Sequence, residues 1–150
     1  MNSVNMDDFS VWIECDTSHA NKCFYTKSND VWIKIFIQNN NINDISIPFE
    51  YLKKTGPSIK LTSVNKDDGF YLRQNLTDRE LLNHLTVIHP REKVMFEWVI
   101  FSREIENLRE NNKNIKLNIE LSVITKVYMK NLNIGDDFIK KINFSIIEKQ

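Results

Sequence analysis

Cys15, His19 and Cys23 recur every four residues with Asp16 beside the first, and thiolate, imidazole and carboxylate are the groups that bind zinc. Tetrahedral zinc wants four ligands, usually from Cys-x-x-Cys turns, and this spacing would need a helix that Asp16 to Lys22 does not encode. His84 and His89 could serve as general bases, yet neither lies in a Gly-x-Ser-x-Gly elbow or a His-Glu-x-x-His helix. His89, before Pro90, reads as a turn residue, and His84 as the end of a short helix, where the helix dipole favours it. The three glycines, at 56, 69 and 135, are too dispersed for a dinucleotide or phosphate loop. Asp136-Asp137 lacks the alternating oxygens of a calcium loop. The residues therefore predict no catalytic group, no metal and no cofactor.

The bulk properties narrow the partner. A chain of 150 residues, 41% hydrophobic, suits one domain, residues 1–150, around one core. Twenty basic and twenty acidic residues cancel, so the electrostatic attraction on which nucleic-acid and anionic-membrane binders rely is missing. Lys140, Lys141 and Lys149 are too dispersed for a nucleic-acid patch. The first eight residues hold no basic and apolar leader, and no run reaches transmembrane length, which predicts a cytoplasmic protein. In that reducing compartment Cys15 and Cys23 are expected as free thiols.

The elements that would position any site are strands. Val31, Ile33, Ile35 and Ile37 recur at period two and give one buried face, and the Asn39 to Asp44 tip ends that strand. Val11, Ile13 and Cys15 give a short first strand at an edge, with Trp12 and Glu14 on its other face. Asp16 to Asn29 reads as a loop with one short extended piece. Ile45, Ile47 and Phe49 alternate again, but Pro48 cannot donate to a ladder, so this strand lies at an edge or ends there. Strands follow around Ile59–Leu61, Phe70–Leu72, Val94–Ile100, Ile115–Val123 and Ile142–Ile146. Thr77-Asp-Arg-Glu80 reads as a capping box opening one or two helical turns. Ser102 to Lys113, with Arg103, Glu104, Glu106, Arg109 and Glu110 interspersed, reads as a solvated excursion or short helix. Seven to nine short strands with one or two helical turns predict an all-β, antiparallel β-sandwich.

Two stretches carry a resemblance. Ile35-Phe-Ile-Gln-Asn-Asn-Asn-Ile-Asn-Asp-Ile-Ser-Ile47 and Ile88-His-Pro-Arg-Glu-Lys-Val-Met-Phe-Glu-Trp98 resemble bacterial immunoglobulin-like sandwiches of the intracellular proteinase-inhibitor type, over roughly residues 30 to 123. Such domains have a strand ending in Asn before a turn, then a Pro-Gly-Glu turn leading into an alternating aromatic strand. Here Arg91 stands where that turn usually has glycine. The resemblance implies an immunoglobulin-like fold and, by extension, proteinase inhibition.

That order would set the Val31 strand antiparallel to the Val94 strand. Placing Lys34 opposite Glu97 puts Trp32 opposite Val99 and Phe36 opposite Met95, all outward. Trp32, Lys34, Phe36, Met95, Glu97 and Val99 are thus the expected contact residues. An apolar strip on a normally wet face calls either for a cover within the chain or for a protein partner. The Leu81–Leu85 turn, the Ile105–Leu108 segment and the C-terminal tail are the possible covers. The functional expectation is a non-enzymatic binder, an immunity protein against a bacterial toxin, with a proteinase inhibitor or a homodimeric adaptor as alternatives.

Overall fold

The computed structural model describes residues 6–15, 21–66, 68–129 and 135–149. They form an all-β sandwich of two sheets with ten strands and little helix. β1 (Phe9–Cys15), β3 (Val31–Asn39) and β8 (Lys93–Ile100) make a three-stranded sheet in the order β1-β3-β8. The other sheet has seven strands: β2 (Lys22–Tyr25), β4 (Ile45–Ile47), β5 (Ser58–Ser63), β6 (Gly69–Tyr71), β7 (Thr86–Ile88), β9 (Lys116–Met129) and β10 (Asp136–Glu148). Its spine is β9, which pairs along one side with β10 and along the other first with β5 and then with β4.

Period-two burial explains the two layers. Ile33, Ile35 and Ile37 of β3 meet Ile59 and Leu61 of β5 and Leu117, Ile119, Leu121 and Val123 of β9 in one core. Burying such aliphatic side chains contributes about 1.5–3 kcal/mol each.

Several expectations need correction. The strand count reaches ten because β7, only three residues long and too short for a periodic signal, joins the strands expected. The sandwich is also not purely antiparallel, since β2 runs parallel to β10, with Lys22 opposite Ser145. The chain leaves β1 in one sheet and enters the other beside its C-terminal strand, and that placement sets the direction. Pro48 does end β4, but Phe49 then opens a helix, α1 (Phe49–Thr55), instead of extending the strand. Gly56 closes α1 at φ +79°, with the Trp98 indole packed where a Cβ would stand. The capping residue near Thr77 is Asp78, whose carboxylate accepts the Glu80 N–H at 3.0 Å at the start of a short 3-10 turn, Arg79–Asn83. Arg91 takes the left-handed conformation, φ 67°, that glycine would supply in this turn.

Cys15 and Cys23 are not free thiols but form a disulfide, with Cα atoms 5.8 Å apart. The last residue of β1 and the second of β2 belong to different sheets, so the bond clamps the two layers at one corner. Their side chains are buried, and an eight-residue separation closes a short loop. Loop closure of that size restricts the unfolded chain by about 2–3 kcal/mol. Urea unfolding of Cys15→Ser/Cys23→Ser, or of the native chain in reductant, is expected to show that loss at an unchanged fold.

Candidate functional site

The outer face of the three-stranded sheet is built from every second residue of β1, β3 and β8. The register places Trp32 opposite Val99, Lys34 opposite Glu97 and Phe36 opposite Met95. On the other side of β3, Trp12 is opposite Phe36 and Glu14 opposite Lys34. The face therefore carries four rows across the strands. Trp32 and Val99 come first, then Glu14, Lys34 and Glu97, then Trp12, Phe36 and Met95, and finally Ser10, Gln38 and Lys93. Cross-strand neighbours of opposite charge or matching polarity hold this register, because a one-residue slip would turn the isoleucines outward.

The third row is preorganised. The Trp12 and Phe36 rings stack at 5.2 Å between centroids and 7° between planes. The Lys93 ammonium lies over both, 5.9 Å from the Trp12 ring and 5.4 Å from the Phe36 ring. Trp32 is 50% exposed and Met95 40% exposed, large apolar groups on an open surface. Trp32 also walls a cleft of about 300 Å³ that reaches Trp98, Phe101, Glu97 and Arg73.

None of the three possible covers lies over this strip. Ile105 packs fully in the core, and Leu108 against it. The 3-10 turn bearing Leu81 and Leu82 packs beside α1, and Leu85 is itself exposed. The C-terminal strand β10 belongs to the other sheet. Among the described residues the face is open. Trp12 was absent from the expected contact set although period two already turned it outward; the missing information was that β1 pairs with β3.

The disulfide removes both cysteines as metal ligands, His19 lies outside the described residues, and no metal-holding cluster occurs among those described. His89 Nδ1 is 3.0 Å from Asp44 Oδ1, and that hydrogen bond with its charge raises the His89 pKa at a fully exposed position. His84 ends the 3-10 turn, as expected.

Two polar centres were not foreseen. Asn39, fully buried at the end of β3, donates from Nδ2 to the carbonyls of Ile88 at 2.8 Å and Asn43 at 2.9 Å, and its Oδ1 accepts the Asn41 N–H at 2.7 Å. The second centre corrects the solvated reading of residues 102–113. The Tyr25 hydroxyl donates to Glu106 Oε2 at 2.6 Å and bonds Ser102 at 2.7 Å. Arg109 reaches both Glu106 oxygens at 2.8 Å and both Glu148 oxygens at 2.7 and 2.8 Å. These bonds to Arg109 hold the Glu106 carboxyl down at about 2 and lower that of Glu148, while burial and the Glu106 bond raise the Tyr25 phenol. The cluster fastens α2 (Ser102–Glu106) to β2 and β10. Only Glu106 and Arg109, three apart, were adjacent enough in sequence to suggest it.

No protein-family model matches the chain, and no curated protein matches it. Solved structures of similar outline include a β-glucosidase from Listeria innocua in complex with glucose, at 8% identity and TM-score 0.41, covering 95% of this chain and 16% of that one. The chain thus spans a small part of that enzyme's length. A Northeast Structural Genomics Consortium target is 9% identical at TM-score 0.46, over 94% of this chain and 87% of that one. A Niemann-Pick type C2 protein from Japanese carpenter ant is 8% identical at TM-score 0.36, over 94% and 91%. Likeness at this level assigns no activity, and the site rests on its own geometry.

Proposed function

We propose that the chain is a non-enzymatic protein-binding module that presents the outer face of β1, β3 and β8 to a partner, and that the partner is a bacterial toxin it neutralises. The observation that carries the binding reading is the strip formed by exposed Trp32 and Met95 with half-buried Phe36 and Val99, and the Trp12 stack beside it. Aromatic and Met side chains are enriched where interfaces are fully desolvated, and rigid ones lose little freedom on contact. The charged row of Glu14, Lys34 and Glu97 supplies orientation, since mispaired charges penalise a wrong partner. Inhibition of a proteinase is the second reading, supported by the resemblance of the strand and turn that make up this same face. The disulfide persists in an oxidising compartment, whereas the cytoplasm expected from the N-terminal sequence would reduce it. Intact mass before and after alkylation of protein from its native host separates these settings.

Trp32→Ala is the deciding variant. Against the product of a toxin gene adjoining its own, binding is expected to weaken by about 2–4 kcal/mol, the range of an interface hot spot, while the thermal midpoint stays unchanged. Light scattering should show a monomer before the partner is added. Unaltered binding by Trp32→Ala, or a dimer that buries this face, would refute the proposal.

A further inference from the structure

The outer edge of β8 carries an unused ladder. Asn39 N donates to the Glu92 carbonyl and Asn39 O accepts from Arg91 N, so the backbone of Asn39 faces the β8 side, while Asn40 N turns the other way, to the Asp8 carbonyl. Backbone groups alternate sides along a strand, which points Ile37, Ile35 and Ile33 at Val94, Phe96 and Trp98. Met95, Glu97 and Val99 therefore aim their N–H and C=O groups away from β3, and no strand among those described pairs with them there. The register of β8 with β3 is continuous and β8 contains no proline, whereas bulges and prolines are the usual means of closing an edge. Beside this edge runs the cleft of about 300 Å³, lined by Glu97, Trp98 and Val99 and, from the segment after β6, by Leu72, Arg73 and Asn75. The other edge of the sheet, β1, is tied at its end to β2 by the disulfide.

The rows of the outer face determine what an added strand would carry, because each row ends at this edge on a β8 residue. Val99 ends an apolar row with Trp32, and Met95 ends another with Trp12 and Phe36. Between them Glu97 ends the row in which Glu14 and Glu97 flank the one ammonium of Lys34, an excess of one negative charge. The Glu97 carboxylate forms no ion pair or hydrogen bond within the described residues, and Arg73 and Glu104, which also border the cleft, are of opposite sign. Opposite charges facing each other across a strand pair stabilise it, and like charges destabilise it. A strand laid against β8 thus favours Lys or Arg opposite Glu97, with apolar residues two positions to either side, opposite Met95 and Val99.

We infer that β8 takes up an extended segment of the partner protein as an antiparallel fourth strand of this sheet, and that the segment reads apolar-x-Lys/Arg-x-apolar. This rests on the β1-β3-β8 face being the interface: main-chain bonds at Met95, Glu97 and Val99 hold the segment, and its alternate side chains continue the three rows. The peptide acetyl-Thr-Val-Thr-Lys-Thr-Val-Thr-amide, titrated into isotope-labelled protein, is expected to give saturable amide shifts at Met95, Glu97 and Val99, with a dissociation constant at or below about 1 mM. Its counterpart with Glu in place of Lys should bind about fivefold more weakly, and Glu97→Lys should reverse that order at an unchanged melting temperature, since this side chain is exposed. N-methylation of the lysine amide removes one ladder bond and should weaken binding about fivefold. A Lys peptide that leaves β8 unshifted, two peptides that bind alike, or an order that survives Glu97→Lys would overturn the inference. Such a failure, with a toxin that still binds through Trp32, removes the added strand alone; peptide binding as expected, with a toxin indifferent to Trp32→Ala, removes the toxin reading and keeps the strand site.

Discussion

Asn39→Ala is expected to destabilise the fold by about 3 kcal/mol, a large share of the stability of a domain this size. The side chain sits fully buried where β3 ends, and its three hydrogen bonds tie that end to β7 and to the tip that follows β3. Truncation strands the Ile88 carbonyl in the interior and releases the Asn41 N–H and the Asn43 carbonyl of the tip. An unsatisfied buried polar group costs about 1–3 kcal/mol, and the two tip groups can recover water, so the Ile88 bond dominates. The backbone rung formed by Asn39 N with Glu92 O and Arg91 N with Asn39 O survives, so the register of β3 with β8 is kept. Thermal unfolding should fall by roughly 6–12 °C. Asn39→Asp makes the sharper comparison: the isosteric carboxylate keeps the acceptor but cannot donate to Ile88, so it is expected to be no more stable than alanine at neutral pH. A native-like Asn39→Asp would show that the amide donor has no role.

What could be read from the sequence follows from the range of each signal. The register of β3 with β8 was legible because one residue pair, Lys34 with Glu97, and two apolar pairs agree on it, and any slip would expose Ile33 and Ile35. The sandwich was legible from period-two alternation in β3 and β9, both long enough to show it. β2 was not, since four residues carry no period and its parallel partner lies more than a hundred residues away. The disulfide was missed for a different reason: the expected compartment decided the redox state, whereas the fold places Cys15 and Cys23 at facing ends of two strands. Within the candidate face, the β3 and β8 residues were found and Trp12 was not, because only the pairing of β1 with β3 brings it onto Phe36. Asn39 was visible as a strand terminator, but its buried bonds to Ile88 and Asn43 depend on β7 and the tip folding back around it.

The Arg109 cluster gives the other large effect, and its pH dependence distinguishes it from simple loss of packing. Arg109→Ala removes a guanidinium that two carboxylates share and that also donates to the Lys113 carbonyl at 2.8 Å. Glu106 and Glu148 are then left facing each other with Tyr25 still donating to the first. Breaking a buried pair costs about 3–5 kcal/mol, and the partial exposure of Glu106 sets the expectation near 3 kcal/mol at neutral pH. Both carboxyls have pKa values below their ordinary value of 4.5, Glu106 at about 2, because the charged form is bonded by Arg109 in the fold. A depressed folded value contributes stability that is complete above the unfolded pKa and is lost as pH falls through the folded one. The native protein should therefore lose this contribution between about pH 4.5 and 2. In Arg109→Ala the two carboxylates repel, their pKa values rise, and acid relieves the repulsion. The gap in unfolding free energy between native and variant chains should thus shrink steadily as pH drops below about 4. Arg109→Lys cannot span both carboxylates with a single ammonium and should fall between the two. A gap independent of pH would mean that Arg109 acts through the packing of its aliphatic stem, and not through the carboxylates that fasten α2 to β10.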